Sequence, residues 1–316
     1  MPCPVHGGRD GFRLFKDVET SGGGICNTCG ANPDGFSLLR WLKGWSFPQA
    51  LEAVDAALGG TQSVEFKTEK LPPPVAAKLV RTAEEDAQIR RRIEAVWAET
   101  LDWQDASAKP LRDYLARRGL DSDVLHGVDS IRFHPGLRYH DEEGRYGGTF
   151  PALVAMVSDL EGRPVTLHRT YLDESGRKAP VENPRRMMPV ASDRPVQGAA
   201  IRLGPSGPVV DLAEGIETAL AVRQATGLPV WSAVNAALLA AFEPPPGTLK
   251  VRVWCDLDRN GVGEEAALRL AGRLEPNGIE VDWMLPPDSL LGESKGVDWL
   301  DVLNRLGPAA FPKLAD

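Results

Sequence analysis

The sequence predicts a multidomain protein of mixed α/β and α+β class: a small metal-held ribbon, then a mixed core, then an open parallel α/β sheet. Three observations lead there. Cysteine and histidine crowd the first thirty residues in two paired spacings. A strand-rich middle follows two amphipathic helical patterns. From Gly207 the texture alternates strand, helix, strand, helix, the signature of a parallel sheet.

The N-terminal pairs are Cys3-Pro-Val-His6 and Cys26-Asn-Thr-Cys29, with nineteen residues between them. Each pair suits a tight knuckle, and the intervening hairpin lets four ligands close a tetrahedron around structural Zn2+. Gly30 relieves strain where the backbone turns back. From Phe36 to Leu58 apolar residues recur at helical spacing, which completes a domain over 1–60. The stretch 61–80, with Leu71-Pro72-Pro73-Pro74, reads as a stiff linker.

Over 81–204 the sequence predicts a helical and mixed α+β part. Thr82 to Thr100 is an amphipathic helix with Ile89, Ile93, Val96 and Trp97 on one face. Pro110 to Arg118 is a second helix, ending at Gly119 as a left-handed cap. Alternating runs such as Ala152–Val157 and Val165–Tyr171 read as strands.

Over 205–292 the predicted strands are Val209–Ala213, Leu228–Val234, Leu249–Cys255 and Glu280–Leu285. The predicted helices are Glu217–Thr226, Asn235–Phe242 and Gly263–Leu274. Residues 293–316 add an acidic motif and a helix. Cys255, inside a buried strand, reads as core.

Acidic residues stand where such a sheet would gather them. Glu214 follows the first strand of this region and Asp256-Leu-Asp258 the third; Asp298 and Asp301 come later, in Val-Asp-Trp-Leu-Asp. Carboxylates at the C-terminal ends of neighbouring parallel strands converge on one crevice. Such a cluster repels itself unless it keeps protons or holds cations. Oxygen-only ligands favour a hard ion such as Mg2+, with Mn2+ as a substitute. Asn260-Gly-Val-Gly263 imitates a dinucleotide loop, but Asp256 and Asp258 would repel a pyrophosphate there.

These residues carry a resemblance. Leu-Ala-Glu214-Gly-Ile-Glu217-Thr, then Asp256-Leu-Asp258, resembles the Toprim domain of DnaG-type primases and topoisomerases, and Lys295-Gly-Val-Asp298-Trp-Leu-Asp301 resembles a later acidic element of primases. The start, with Cys-Pro-x-His-Gly-Gly and Cys-x-x-Cys-Gly, is similar to the zinc-binding domain of phage- and plasmid-type (alpha-like) primases. Tyr114-Leu-x-x-Arg-Gly and His168-Arg-Thr-Tyr-Leu resemble the basic half of the same catalytic core. One departure stands out: where many Toprim domains place an aspartate four positions after the glutamate, this sequence has Thr218. Glu217 comes at three, and there it suits the start of a helix.

The resemblance implies a DNA primase of a phage, plasmid or other mobile element. Such an enzyme would join ribonucleoside triphosphates into short RNA on a single-stranded DNA template by two-metal nucleotidyl transfer. Glu214, Asp256 and Asp258 would be catalytic and, with Asp298 and Asp301, would hold Mg2+. Glu214 is open between ligand and general base. Arg169, Arg185 and Arg186 are candidates for nucleotide or template phosphates, and Trp41 and Trp45 for stacking on template bases. The sequence contains no Gly-x-x-x-x-Gly-Lys-Ser/Thr loop, so a separate replicative helicase is the expected partner.

Composition bounds the alternatives. The 316 residues carry 44 acidic against 36 Lys and Arg, a net charge of -8. Nucleic-acid binding must therefore rest on local basic patches. No apolar run reaches membrane-spanning length and no signal peptide opens the chain, so the expected compartment is the cytoplasm. A Toprim-type nuclease or topoisomerase-like cleavage, and a non-catalytic replication accessory binding single-stranded DNA or a helicase, are the rival readings.

Overall fold

Side-chain caps at Asp34, Thr82, Asn235 and Asp298 start helices in the computed structural model. Its described residues are 1–5, 11–26, 30–32, 34–45, 47–57, 81–141, 143–292 and 294–313. They fall into two compact units, Met1–Ala76 and Ala77–Asp316.

In the first unit β1 (Phe12–Leu14) is followed by α1 (Val18–Ser21), β2 (Gly24–Cys26) and β3 (Gly30–Asn32), and the strands form one antiparallel sheet in the order β1-β2-β3. Paired backbone hydrogen bonds between Met1 and Phe12 tie the chain start to β1. Cys3 and Cys26 are both buried, in one cluster with Phe12, and Leu38 and Trp41 pack against it. Trp41 stacks on Phe12 with ring centroids 5.5 Å apart, so core packing occupies one face of this candidate stacking residue. The run expected as one helical stretch is two helices, α2 (Gly35–Lys43) and α3 (Phe47–Ala57). The break is at Gly44, whose φ of 66° ends α2 in a left-handed cap. The linker expected at 61–80 lies outside the described residues.

The second unit opens with α4 (Ala83–Ala98), where Thr82 and Glu85 form a reciprocal capping box. Next come α5 (Lys109–Arg117), β4 (Ile131–His140), β5 (Tyr146–Ser158), β6 (Pro164–Tyr171), β7 (Arg185–Met187) and β8 (Ala200–Ile201). Then follow β9 (Val209–Ala213), α6 (Ile216–Thr226), β10 (Trp231–Ser232), α7 (Ala236–Ala240), β11 (Lys250–Trp254), β12 (Leu257–Asp258), α8 (Val262–Leu274), β13 (Glu280–Met284), β14 (Gly296–Val297) and α9 (Trp299–Leu306).

One nine-stranded mixed sheet runs through this unit in the order β13-β11-β9-β10-β8-β5-β6-β7, with β4 beside β5. The strands β13, β11, β9 and β10 are mutually parallel, as the alternation of strand and helix predicts. β8 pairs antiparallel with both β10 and β5, so the middle segment and the parallel segment share a single sheet. The predicted strand Leu228–Val234 is reduced to Trp231–Ser232.

Asp211 interrupts the apolar run of β9 yet is 4% exposed. A buried carboxylate needs partners, and the neighbouring strand supplies them: Trp254 Nε1 donates at 2.8 Å and Arg252 Nη1 at 3.4 Å. Beyond β11, Trp254, Trp299 and Phe311 pack into one aromatic cluster, Trp254 meeting Trp299 edge-on at 5.0 Å. Burying each such side chain stabilises by about 1.5–3 kcal/mol, and this cluster seats α9 on the sheet.

Candidate active site

Three short devices bring the acidic residues together. Glu214 leaves the end of β9 and Asp256 leaves the end of adjacent β11, where Trp254 pairs with Ala213. The two-residue ladder between β12 and β14, with Asp258 opposite Gly296, then carries Asp298 alongside. Gly263 allows α8 to start against the Asp256 loop: a Cβ there would lie 2.7 Å from the Asp256 carbonyl oxygen.

Burial and crowding set their protonation. Asp256 is pushed up to about 8, first by burial and then by Glu214, Asp298 and Asp258; Thr218 Oγ1, donating at 3.4 Å, opposes this. Burial also raises Glu214, against a hydrogen bond from the Ala236 N–H, and the Asp258 charge adds to it. Asp298 is raised by burial as well. The backbone at Glu214 is held by Ser232, whose Oγ donates to the Glu214 carbonyl at 3.1 Å and accepts from the Val234 N–H at 3.2 Å. Val234 has φ 74°, a left-handed conformation costly for a β-branched residue and common beside functional sites.

Two of the carboxylates also cap helices. Asp258 accepts from the N–H groups of Asn260 at 2.8 Å and Val262 at 3.1 Å, at the start of α8. Asp298 is the N-cap of α9 in a reciprocal box with Asp301. Asp301 thus serves the cap and pairs with Arg305 at 3.5 Å. A carboxylate has about four acceptor sites, so capping leaves Asp258 and Asp298 able to bind further.

A basic cluster adjoins the acids. Glu217, in the first turn of α6, is met by Arg118 at 3.1 Å, Lys178 at 3.6 Å and Arg185 at 3.9 Å, and the Tyr114 hydroxyl donates to it. Of the arginines expected to bind phosphate, only Arg185 is here. Side chains alternate along paired strands: Arg185 lies opposite Thr170, whereas Arg169 and Arg186 lie opposite each other with the other parity. Arg169 donates to the Tyr171 hydroxyl at 2.9 Å and to the Met187 carbonyl at 3.1 Å. Arg186 donates to the His140 carbonyl and lies over the Tyr139 ring. Lys178 and Arg118 are the cations that sequence reading passed over. The signal for Arg118 was present, in Tyr114-Leu-x-x-Arg-Gly.

Residues 209–309 match the family model for the Toprim domain. The C-terminal segment is a Toprim domain. Residues 1–36 match the zinc-binding domain of primase-helicase, and residues 87–202 match a domain of unknown function, DUF7146. No curated protein matches the chain. Similar solved structures include a DnaG primase catalytic domain bound to ssDNA, 18% identical, covering 73% of this chain and 78% of that one, with a TM-score of 0.49. The zinc-binding and RNA polymerase domains of Aquifex aeolicus primase are 17% identical, over 98% and 76%, with a TM-score of 0.45. The primase fragment of the bacteriophage T7 primase-helicase protein is 14% identical, over 98% and 95%, with a TM-score of 0.41. At these scores the likeness says nothing of activity.

The Toprim carboxylates offer oxygen donors only, crowded enough to hold a proton on Asp256 near neutral pH, and this donor chemistry fits a hard cation. Among the described residues no three acidic, cysteine or histidine side chains stand ready around one point. In the zinc-binding segment Cys3 and Cys26 fit thiolate ligation, buried together; His6 and Cys29 lie outside the described residues. No helix among the described residues is long and apolar enough to cross a membrane.

Proposed function

We propose that the chain is a DNA primase that joins ribonucleoside triphosphates on a single-stranded DNA template. The observation that supports it most is the union, in one chain, of a primase-helicase zinc-binding match with a Toprim domain whose acids adjoin a basic cluster. Polymerisation needs both signs of charge side by side: cations to hold incoming phosphates, and acids to carry a metal and accept a proton.

Glu214, Asp256 and Asp258, with Asp298, would hold Mg2+ in this reading. Bound there, the metal supplies charge neutralisation and polarises the phosphate under attack. The protein's own part is positional. Arg118, Lys178 and Arg185 take the phosphates from the adjoining side. Glu214, which burial raises, is suited to take the proton of an attacking 3′-hydroxyl at its carboxylate. Asp301 supports through the α9 cap. Cys3, His6, Cys26 and Cys29 would hold structural Zn2+ in a module that samples template, and a separate replicative helicase of a phage or plasmid system would deliver it.

The test is synthesis of labelled oligoribonucleotides from NTPs on single-stranded DNA with Mg2+, in the presence of a panel of replicative helicases. Products that depend on template, nucleotides and Mg2+ are expected. Their absence overturns the reading, and cleavage of the DNA without nucleotides would transfer the chemistry to a nuclease.

A further inference from the structure

Glu217 is a carboxylate that the proposed chemistry does not use. It stands in α6, where Ile216, Thr218, Ala219, Leu220, Ala221 and Val222 are all buried, so its own charge cannot be left in an apolar wall. Its partners come from three distant parts of the chain. Arg118, at the end of α5, donates from Nη2 to Oε2 at 3.2 Å, and Tyr114 one turn earlier donates to Oε1. Lys178 arrives from the loop after β6 and Arg185 from β7.

Exposure gives this group a direction. The Glu217 side chain is 14% exposed, against 38% for Arg118, 34% for Lys178 and 57% for Arg185. The carboxylate is a floor and the cations form a rim whose outer N–H groups face solvent. Without the floor, three like charges on separate segments would splay apart. Behind them His168 is 8% exposed and its Nδ1 has no partner. Burial, with Arg185 and Arg169 nearby, lowers it to about 4, so it adds no fourth charge at neutral pH. The rim also borders the acids: Asp298 feels both Arg118 and Glu217, and Glu214 feels Arg185.

We infer that Glu217 is a positioning residue for phosphate: its buried charge pins Arg118, Lys178 and Arg185 into one outward-facing cradle for a polyphosphate, beside the Toprim acids. That the polyphosphate belongs to a nucleoside triphosphate rests on the primase reading; the cradle itself does not.

The experiment is binding of inorganic tripolyphosphate to the full chain by calorimetry, without divalent metal and at low salt. Arg118→Ala and Lys178→Ala should each weaken binding. Glu217→Gln should weaken it by about tenfold, while Glu217→Asp, which keeps the charge, stays within about threefold of the parent. Removing a negative charge by itself would tighten anion binding, so the sign decides. Equal or tighter binding by folded Glu217→Gln overturns the inference, as does a parent that binds no tripolyphosphate. Where Glu217→Gln fails to fold, Tyr114→Phe removes only the hydroxyl on Oε1; it should weaken binding by about threefold, and unchanged binding there overturns the inference equally. Primer synthesis is scored separately. A chain that shows this binding pattern but makes no primers keeps the cradle and loses the primase reading.

Discussion

Asp256 and Glu217 are both largely withdrawn from water, and they respond in opposite senses. Asp256 is pushed up to about 8 by burial and three neighbouring acids. Glu217 is held below its ordinary value although burial pulls the other way, because Tyr114, Lys178, Arg118 and Arg185 surround it. Burial alone would raise both. The difference lies in the neighbours: Asp256 has an unmet demand for positive charge, and Glu217 has a surplus. A cation from solvent is wanted at the first and an anion at the second.

The sharpest way to break this contrast is at Asp256. Asp256→Asn should lower primer synthesis by about a hundredfold or more while the protein stays folded, since it deletes a charge that the reaction needs. Full activity in the labelled-nucleotide assay would remove Asp256 from the site.

A smaller effect lies in stability. With its folded value raised, Asp256 keeps its proton in the folded chain but loses it on unfolding between about pH 4 and about pH 8. The metal-free protein should therefore become less stable as pH rises through that window. Glu217, lowered when folded, contributes in the other sense: its stabilisation is present above its unfolded value and is lost as pH falls. Thermal melts without metal should fall by several degrees from pH 5 to pH 8, on the order of 2–4 °C per kcal/mol. Asp256→Asn should flatten that decline, and Mg2+ at pH 8 should reverse it. A rising melting temperature over this range in the metal-free protein would contradict the assignment.

The smallest effect separates two arginines. Arg185→Ala should weaken tripolyphosphate binding with little change in melting temperature. Arg169→Ala should lower melting by a few degrees and leave binding alone, because Arg169 is spent on Tyr171 and the Met187 carbonyl. Equal behaviour of the two would mean that strand parity does not sort them.

Much of the fold was legible because its signals are local. Thr82 with Glu85, Asn235 before α7 and Gly227 after α6 mark helix ends within a few residues, and β9 has the predicted bounds. The convergence of Glu214, Asp256 and Asp258 follows from strand adjacency, which the alternation of elements implied. What stayed hidden depends on distant partners. The parity of Arg169 and Arg185 is set by where β7 pairs on β6. Glu217 looked like a favourable charge in a first helical turn, because Tyr114 and Arg118 lie about a hundred positions away. The left-handed backbone at Val234 gives no residue signal at all, since glycine or asparagine would be expected there.

Gly119 follows the end of α5 with φ 75°, and a Cβ on it would lie 1.8 Å from the Asn304 side-chain oxygen of α9. Asn304 in turn donates to the Arg118 carbonyl at 3.1 Å. The helix that carries Asp298 is thereby latched to the helix that carries Arg118. A shift of one wall of the crevice strains this hydrogen bond, so the metal-seeking and phosphate-seeking halves are linked at one point even though their sequences lie far apart.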